Sequence, residues 1–262
     1  MSADAAAAES AEVFVEAWQV MVSRLPGSTL IHADGVSTCL GHVPMAFFSV
    51  STPDRTLKDA DDLRRALRLG VERASSYPYP WMMGLCEERS PAGWPAVAAE
   101  FGLTPAMNLT GMGTDELLPR RRSEPASLEF RRVCDDASAR DLATVNRHAY
   151  RMPPSLFECM CDLSLWRPDT VGLVGYDASG TPVTSAAAFP VAGTVYVAFV
   201  ATMPEAHGRG YAEAVMRRAI AEGRNLTGYS RVTLHATDMG RPLYASMGFA
   251  SSARFVLLAG RH

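Results

Sequence analysis

The sequence lacks the features of a protein that binds nucleic acids or crosses a membrane. It has 25 Lys and Arg residues against 28 Asp and Glu, a formal net charge of -3 and a pI near 6.1, so no basic excess is available to neutralise phosphates. No apolar run is long enough to span a bilayer, and residues 1–11 lack the basic start and apolar stretch of a secretion signal. We therefore expect a cytoplasmic protein without a nucleic-acid or membrane partner.

Cysteine is also scarce, and its placement argues against two kinds of stabilising site. The five cysteines are odd in number and contain no Cys-x-x-Cys pair, so neither a disulfide framework nor a zinc site is indicated. We expect a reducing compartment and no bound metal. The residues are Cys39, Cys86, Cys134, Cys159 and Cys161.

The chain is long enough for two domains. Its 262 residues are 48% hydrophobic and 20% charged, and domains commonly contain about 100–200 residues. The polar, proline-punctuated stretch 119–127, which includes Arg120-Arg121-Arg122, is the best linker candidate, and its arginines are read as solvated rather than as an anion patch. We place an N-terminal domain at 12–118 and a C-terminal domain at 128–262.

Hydrophobic periodicity and turn residues predict a mixed α/β fold with a mixed sheet. The N-terminal part is predicted to contain helices over 12–24, 59–74 and 94–101 and strands over 28–31, 45–50 and 81–86. The C-terminal part is predicted to contain strands over 128–133, 171–176, 182–189, 194–202, 231–236 and 254–259, with helices over 136–150, 210–224 and 241–247.

One glycine-containing loop stands between a predicted strand and a predicted helix. The strand ends at Thr202, the loop contains Gly208 and Gly210, and the helix follows. Free backbone N–H groups and a positive helix end converge at such a junction, which suits a phosphate, and glycines let the backbone approach it closely. The same pattern also serves as a simple turn, so this segment alone leaves both interpretations open.

Two familiar phosphate-binding motifs do not fit this loop. A dinucleotide-binding fingerprint would need a third glycine at Glu213 and an acidic strand end about 20 residues further on. A P-loop would need Gly-Lys-Ser/Thr, which occurs nowhere in the chain. Dehydrogenase and kinase interpretations are therefore set aside.

Two ordered motifs resemble those of a known family. The segment from His207 to Ala212 resembles the Gln/Arg-x-x-Gly-x-Gly/Ala signature of the GNAT superfamily of acetyl-coenzyme A-dependent N-acyltransferases. Downstream, Leu243-Tyr244 and Gly248-Phe249 resemble the family's Leu-Tyr-x-x-x-Gly-Phe close. The resemblance implies the GNAT fold for 128–262. His207 departs from the pattern, because it stands where the family prefers Gln or Arg.

The resemblance implies acetyl-coenzyme A as the co-substrate. The strand before the loop would pair its backbone with the pantetheine arm, and the loop amides would hold the pyrophosphate, with His207 pointing toward it. The implied cofactor-binding residues are Phe199, Val200, Ala201, Thr202, His207, Gly208, Arg209, Gly210, Tyr211 and Ala212.

Tyr244 matches the family's catalytic proton donor to the departing thiolate, although a tyrosine here could also serve only in packing. The base that deprotonates the amine is left open by the sequence. His235, Glu158 and His148 are candidates for that role, and each of them could equally be a structural or surface residue.

The surroundings of the acceptor amine are less defined. Tyr150, Phe157 and Trp166 flank the irregular stretch 151–169 and would either line the acceptor pocket or belong to the core. The N-terminal half ends in a faintly similar Gly102-Leu103 but has no glycine loop before its helix at 59–74. We interpret it as a degenerate GNAT-like copy that does not bind coenzyme and helps to wall the acceptor site.

The sequence therefore predicts an N-acetyltransferase that transfers an acetyl group directly from acetyl-coenzyme A to a primary amine of a small molecule. Protein lysine or N-terminal acetylation is a second interpretation. A non-catalytic acyl-coenzyme A sensor is a third. The protein is expected to be a monomer or a homodimer.

Overall fold

The computed structural model describes residues 2–120, 123–125 and 127–260. Arg121, Arg122 and Ala126 of the expected linker, and residues 261–262 of the expected C-terminal domain, lie outside the described residues. The described chain forms helices α1 (Ala3–Val22), α2 (Ala60–Ala74), α3 (Trp94–Glu100), α4 (Asp136–Tyr150), α5 (Tyr211–Thr227) and α6 (Arg241–Ser246). Its strands are β1 (Thr29–Ala33), β2 (Val36–Leu40), β3 (Ser49–Pro53), β4 (Met82–Cys86), β5 (Thr104–Thr114), β6 (Glu129–Arg132), β7 (Val171–Tyr176), β8 (Pro182–Val191), β9 (Thr194–Thr202), β10 (Val232–Ala236) and β11 (Ala250–Ala259).

The chain packs into two units that are interleaved in sequence. The first comprises the described residues of Met1–Met112, His235–Pro242 and Ala250–His262, and the second comprises those of Gly113–Leu234 and Leu243–Phe249. The expected domain over 128–262 differs from this division because the last strand packs with the first unit. β11 pairs antiparallel with β4, and this partnership between distant segments leaves no mark in the local sequence.

In the first unit the strand order is β1-β2-β3-β4-β11-β5, and β3 and β4 run parallel. Helix α1 packs its aromatic side chains into this unit. The Phe14 ring stacks on Trp18 and on Phe255 of β11, with centroid distances of 4.2 and 4.7 Å. Helix α2 buries Leu63 and Leu67 in the core of the same unit.

Helix α1 begins nine residues before the predicted start at residue 12. Its first turns are alanine-rich, which favours a helix by propensity but gives no amphipathic repeat to detect. Ser2 caps the helix by accepting a hydrogen bond from the Ala5 amide.

Strands β2 and β5 were missed by the sequence prediction. β5 contains Pro105, Gly111 and Gly113, which are residues more typical of turns. At Gly111, a Cβ atom would collide with the Ser10 side chain, so the close approach of α1 to this strand requires glycine.

The second unit has the strand order β10-β9-β8-β7-β6, with β9 and β10 parallel and the remaining neighbours antiparallel. Helices α4 and α5 pack on these strands. At Gly223 of α5, a Cβ atom would lie 2.8 Å from Val195 Cγ1 of β9, so α5 lies directly against the sheet.

The order of elements repeats along the chain. The series α1-β1-β2-β3-α2-β4-α3-β5 is followed, after β6, by the series α4-β7-β8-β9-α5-β10-α6-β11. The third and fourth strands of each series, β3 with β4 and β9 with β10, form a parallel pair joined by a helix. The predicted mixed α/β fold is confirmed, and both halves of the chain carry it.

Candidate active site

Strand β9 contains a β-bulge beside its neighbour β8. Ala198 lies opposite Ala187 and Ala201 lies opposite Ser185, so Phe199 and Val200 together face the single residue Ala186. Phe199 has a φ of 53°, in the left-handed region, where a residue with a side chain is disfavoured by about 1–2 kcal/mol. The surrounding contacts must hold the strand in this shape.

Two aromatic rings pack against the Phe199 side chain. The Trp166 ring centroid lies 6.1 Å from that of Phe199, and the Phe189 centroid lies 6.0 Å from it, both in edge-on arrangements. Trp166 is itself fixed by a 2.8 Å hydrogen bond from its Nε1 to the Met160 carbonyl. These rings anchor the bulge from the core side.

Beyond the bulge, β9 extends past its pairing with β10. The register of β10 on β9 covers Val232 opposite Val195 and Thr233 opposite Tyr196, whereas β9 continues to Thr202. Residues 198–200 are partly exposed, in contrast to the buried residues on either side of them. The part of β9 from residue 198 to its end at Thr202 contains four of the predicted cofactor-binding residues.

Side chains of β8 donate hydrogen bonds to two backbone carbonyl groups near the end of β9. The Thr184 hydroxyl donates to the Ala201 carbonyl at 2.8 Å, and the Ser185 hydroxyl donates to the Phe199 carbonyl at 3.1 Å. Backbone groups of successive strand residues face opposite edges, so those of Val200, between the two, are expected to face the other edge of the strand. That edge is the one suited to pair with an extended ligand.

The glycine loop that follows adopts the conformation its residues predict. Gly208 and Gly210 have φ values of 76° and 78°, which only glycine adopts without strain. A Cβ atom at Gly208 would meet nothing within 4 Å, and one at Gly210 would meet only Pro125 Cγ, at 4.0 Å. The glycines therefore serve the backbone shape, and the space beside them is open.

The amino end of α5 offers backbone donors. Gly210 is the N-cap residue and provides no side-chain hydrogen bond to the first turn. The first amides of a helix have no acceptor within the helix, and the positive end of the helix dipole lies there. The 17-residue helix α5 therefore presents the features of an anion-binding helix start.

The His207 side chain turns toward the end of β9. Its Nε2 lies 3.0 Å from the Thr202 carbonyl oxygen, which can only accept, so Nε2 carries the proton. The family resemblance instead implied that this side chain points toward the pyrophosphate. The Arg209 guanidinium also turns back, donating to the Glu205 carbonyl at 3.2 Å. The His207 amide is also engaged, since it donates to the Pro204 carbonyl at 3.3 Å. The first amides of α5, rather than these two side chains, are the groups suited to an anion.

The corresponding helix of the first series, α2, begins differently. Asp59 caps α2 by accepting from the Asp62 amide at 2.8 Å, and Asp62 forms an ion pair with Arg55 at 2.6 Å. The Asp62 carboxylate also accepts from the Lys58 amide, and Arg55 and this amide hold the Asp62 pKa well below its usual range. The start of α2 thus supplies its own anions where α5 leaves its amides uncapped.

Tyr244 lies on α6 and is 9% exposed, with its ring 6.2 Å from that of Phe249. Burial raises its pKa well above the ordinary tyrosine value, and Tyr150 adds to the shift in the same direction. The phenol therefore stays protonated at neutral pH. A protonated phenol is the form that a proton donor to a thiolate requires.

The three candidate bases have different environments. The His235 ring is packed edge-on against Phe14 and Phe255, with centroids at 5.0 and 4.7 Å, and burial lowers its pKa to about 3. His148 and Glu158 are exposed. His235 is therefore held as a neutral ring in an aromatic cluster of the first unit, which is a structural role.

The three aromatic residues in or beside the stretch 151–169 differ in exposure. Phe157 and Trp166 are buried, whereas Tyr150 is 42% exposed and stacks on Phe157 at a centroid distance of 6.5 Å. Tyr150 thus stays a candidate for the acceptor pocket, and Trp166 supports the bulge.

Within the described residues, no group of three or more His, Cys, Asp or Glu side chains is placed to hold a metal ion. Over the same residues, no helix is both long and apolar enough to cross a membrane.

A family model covers the residues of this candidate site. Residues 138–249, which include the bulge, the glycine loop and Tyr244, match the model of the acetyltransferase (GNAT) family. These residues form a GNAT acetyltransferase domain. No curated protein matches the sequence. The predicted GNAT domain, and with it acyltransferase activity as the class of the protein, is confirmed.

Solved structures extend the GNAT-like fold over nearly the whole chain. A GCN5-related N-acetyltransferase from Kribbella flavida has 19% identity and a TM-score of 0.72, and the match covers 96% of each chain. One from Sphaerobacter thermophilus has 17% identity and a TM-score of 0.60, covering 86% of this chain and 76% of that chain. A tandem GNAT protein from the clavulanic acid biosynthesis pathway has 11% identity and a TM-score of 0.53, covering 99% and 96%. These likenesses show the fold.

Sequence reasoning missed the polar residues behind the bulge of the GNAT domain. Thr184 and Ser185 are buried in β8 and face β9 through their hydroxyl groups. A Thr-Ser pair inside an otherwise apolar strand is the signal that was available. Its meaning depends on the bulge, which the sequence does not reveal.

We predict that replacing Gly210 with alanine weakens coenzyme A binding about tenfold, because an alanine at this left-handed φ strains the loop and shifts its amides. Gly228→Ala is the matched control, since Gly228 has a φ of 76° at the other end of the same helix and nothing lies within 4 Å of its Cβ position. Both variants should lose similar thermal stability, and only Gly210→Ala should lose affinity in calorimetric titration. Equal affinity in the two variants would contradict a ligand-binding role for the loop.

We also predict a pH-dependent loss of stability from His235. The unfolded chain binds a proton at its ordinary pKa of about 6.5, whereas the folded chain does so only near 3, so the free energy of unfolding falls as the pH drops below 6.5. The loss from this residue is about 1–2 kcal/mol at pH 5. His235→Phe should reduce the difference in melting temperature between pH 7 and pH 5. The exposed His148→Phe should leave that difference unchanged, and an equal effect of both would contradict the assignment.

Proposed function

We propose that this protein is an N-acetyltransferase that moves an acetyl group from acetyl-coenzyme A to a primary amine of a small molecule. The observation that carries the proposal is the combination, in one GNAT domain, of a bulged strand that extends past its pairing with β10 and a glycine loop without a side-chain cap. These features fit an extended thioester ligand with a pyrophosphate, because backbone donors meet both parts of it.

The residues proposed to hold the ligand are those of the strand and the loop. Phe199 to Thr202 would pair their backbone with the pantetheine arm, and the amides from Gly208 to Ala212 would hold the pyrophosphate beside His207, whose own amide donates to the Pro204 carbonyl. The bound thioester supplies an activated acetyl group. Holding the phosphates far from the thioester separates binding from chemistry, so that binding energy positions the reacting carbonyl.

Tyr244 is proposed to donate the proton that the departing sulfur requires. Its burial and raised pKa keep the phenol protonated at neutral pH, which is the form that can donate a proton to the departing sulfur. The exposed Tyr150 would contact the acceptor amine. His148 and Glu158 stay as proposed bases, together with solvent water.

The N-terminal half is proposed to be a degenerate GNAT-like copy without a coenzyme site. The repeated element order supports a common architecture, and the match to the tandem GNAT structure covers 99% of this chain. The carboxylates of Asp59 and Asp62 at the start of α2 would repel a pyrophosphate. One coenzyme A per chain is therefore expected.

Two measurements on the same preparation test the proposal. Calorimetry with coenzyme A gives the stoichiometry, and thiol release from acetyl-coenzyme A across a panel of small amines, peptides and lysine-containing proteins gives the acceptor class. Tight binding of one coenzyme A per chain, with turnover on small amines, is the expected result. Binding without turnover on any amine would indicate a sensor, and no binding at all would overturn the proposal.

Tyr244→Phe is predicted to lower kcat about 100-fold, because the proton donor is lost, while coenzyme A affinity changes by less than about twofold. Tyr229→Phe, at a 38% exposed tyrosine in the same unit, is the matched control and should leave both values unchanged. If kcat of Tyr244→Phe equals that of the parent, Tyr244 has no part in proton transfer.

A further inference from the structure

A buried chain of hydrogen bonds runs from helix α4 to the bulge of β9. Asn146 on α4 is 1% exposed, and its Nδ2 donates to the Ser185 hydroxyl at 3.0 Å and to the Leu142 carbonyl at 2.9 Å. The Ser185 hydroxyl, which is fully buried, donates in turn to the Phe199 carbonyl at 3.1 Å. The Phe199 carbonyl can only accept, so the single Ser185 hydroxyl proton is donated to it. The Ser185 oxygen therefore accepts from Asn146 Nδ2.

The orientation of the Asn146 amide leaves one of its atoms without a partner. Asn146 Oδ1 is buried and has no hydrogen-bond partner among the described residues. With the amide reversed, Oδ1 would accept the Ser185 proton, and the hydrogen bond from Ser185 to the Phe199 carbonyl would be lost. A buried acceptor without a partner is destabilising, so an apolar side chain of similar shape would serve stability at least as well. The main effect of Asn146 is therefore on the other end of this hydrogen-bonded series, where it helps to fix the Phe199 carbonyl.

We propose that Asn146 and Ser185 are positioning residues for the acetyl-coenzyme A site. They fix the carbonyl of left-handed Phe199, and thereby the direction in which the backbone of Val200 faces. Neither side chain touches the ligand, because both are buried behind the strand. This inference rests on the proposed function for its effect on binding, but its effect on the bulge is independent of any ligand.

Asn146→Leu and Ser185→Ala test the positioning role. Both should weaken coenzyme A binding about tenfold: Ser185→Ala removes the hydroxyl that donates to the Phe199 carbonyl, and Asn146→Leu removes the group that holds that hydroxyl in place, so the strand can relax in each case. Asn146→Leu should do so without lowering the melting temperature, since it also removes the unpaired Oδ1. Ser185→Thr retains the hydroxyl donor and should retain the affinity. A purely structural role would instead lower the melting temperature of Asn146→Leu and spare its affinity, which would overturn the proposal.

Thr194→Val is the matched control at the other end of β9. Thr194 is 3% exposed, and its hydroxyl donates to the Val191 carbonyl at 2.9 Å and lies 2.7 Å from the Thr233 hydroxyl. Its removal should lower the melting temperature and leave coenzyme A affinity unchanged. If Thr194→Val and Ser185→Ala lose the same affinity, buried hydroxyl groups in this sheet act only on stability, and the proposal is wrong.

A crystal structure of Ser185→Ala separates this inference from the proposed function. We expect Phe199 to leave the left-handed region, or the bulge to move along β9. If the parent protein does not bind coenzyme A, the proposed function fails, and the Phe199 φ in this variant still decides the positioning role. An unchanged bulge would refute it.

Discussion

The left-handed backbone of Phe199 is the constraint on which the proposed acetyl-coenzyme A site depends. An extra residue at this point shifts the register of β9 on β8, so that Ala201 rather than Val200 lies opposite Ser185. Buried groups fix this shape from both sides, with the rings of Trp166 and Phe189 packed on the side chain and the Ser185 hydroxyl bonded to the carbonyl. Strain of this kind persists where the surroundings over-determine it, which is a reason to look for function there.

Helices α2 and α5 occupy equivalent places in the repeated element order, but the residues at their starts differ in charge. This difference distinguishes the proposed ligand site at α5 from the structural helix start at α2. At α5 the N-cap is Gly210, whose lack of a side chain leaves the first amides uncapped. At α2 the cap is Asp59, and Asp62 adds a second carboxylate that is paired with Arg55. Helix α2 satisfies the positive end of its dipole with its own side chains, whereas the start of α5 leaves room for the proposed external anion. The same architecture can thus retain or lose an anion site through a few residues at one turn.

Much of the fold was accessible from the sequence where local patterns carry it. The predicted helix over 136–150 matches α4, and the hairpin of β7 and β8 follows its turn residues. What failed depended on distant contacts: Gly111 in β5 is explained only by Ser10 of α1, and β11 joins β4 across most of the chain. In the site, the glycine loop was recognisable because its backbone conformation demands glycine. The orientation of His207 and the role of Ser185 depend on the neighbouring strand, so no local pattern could reveal them.

The protonation states in the two units bear on which amine the enzyme would accept. Tyr244 holds its proton at neutral pH, and His235, with a pKa near 3, is too weak a base to take one from an ammonium group. If neither His148 nor Glu158 acts as the base, the rate of the proposed transfer depends on the fraction of acceptor amine that is already unprotonated. That fraction is about 0.04% at pH 7 for an amine with the pKa of lysine, about 10.4, but about a tenth for an α-amino group near 8. Under the proposed function, acceptors whose amine has an intrinsically low pKa would then react faster than an ordinary lysine side chain.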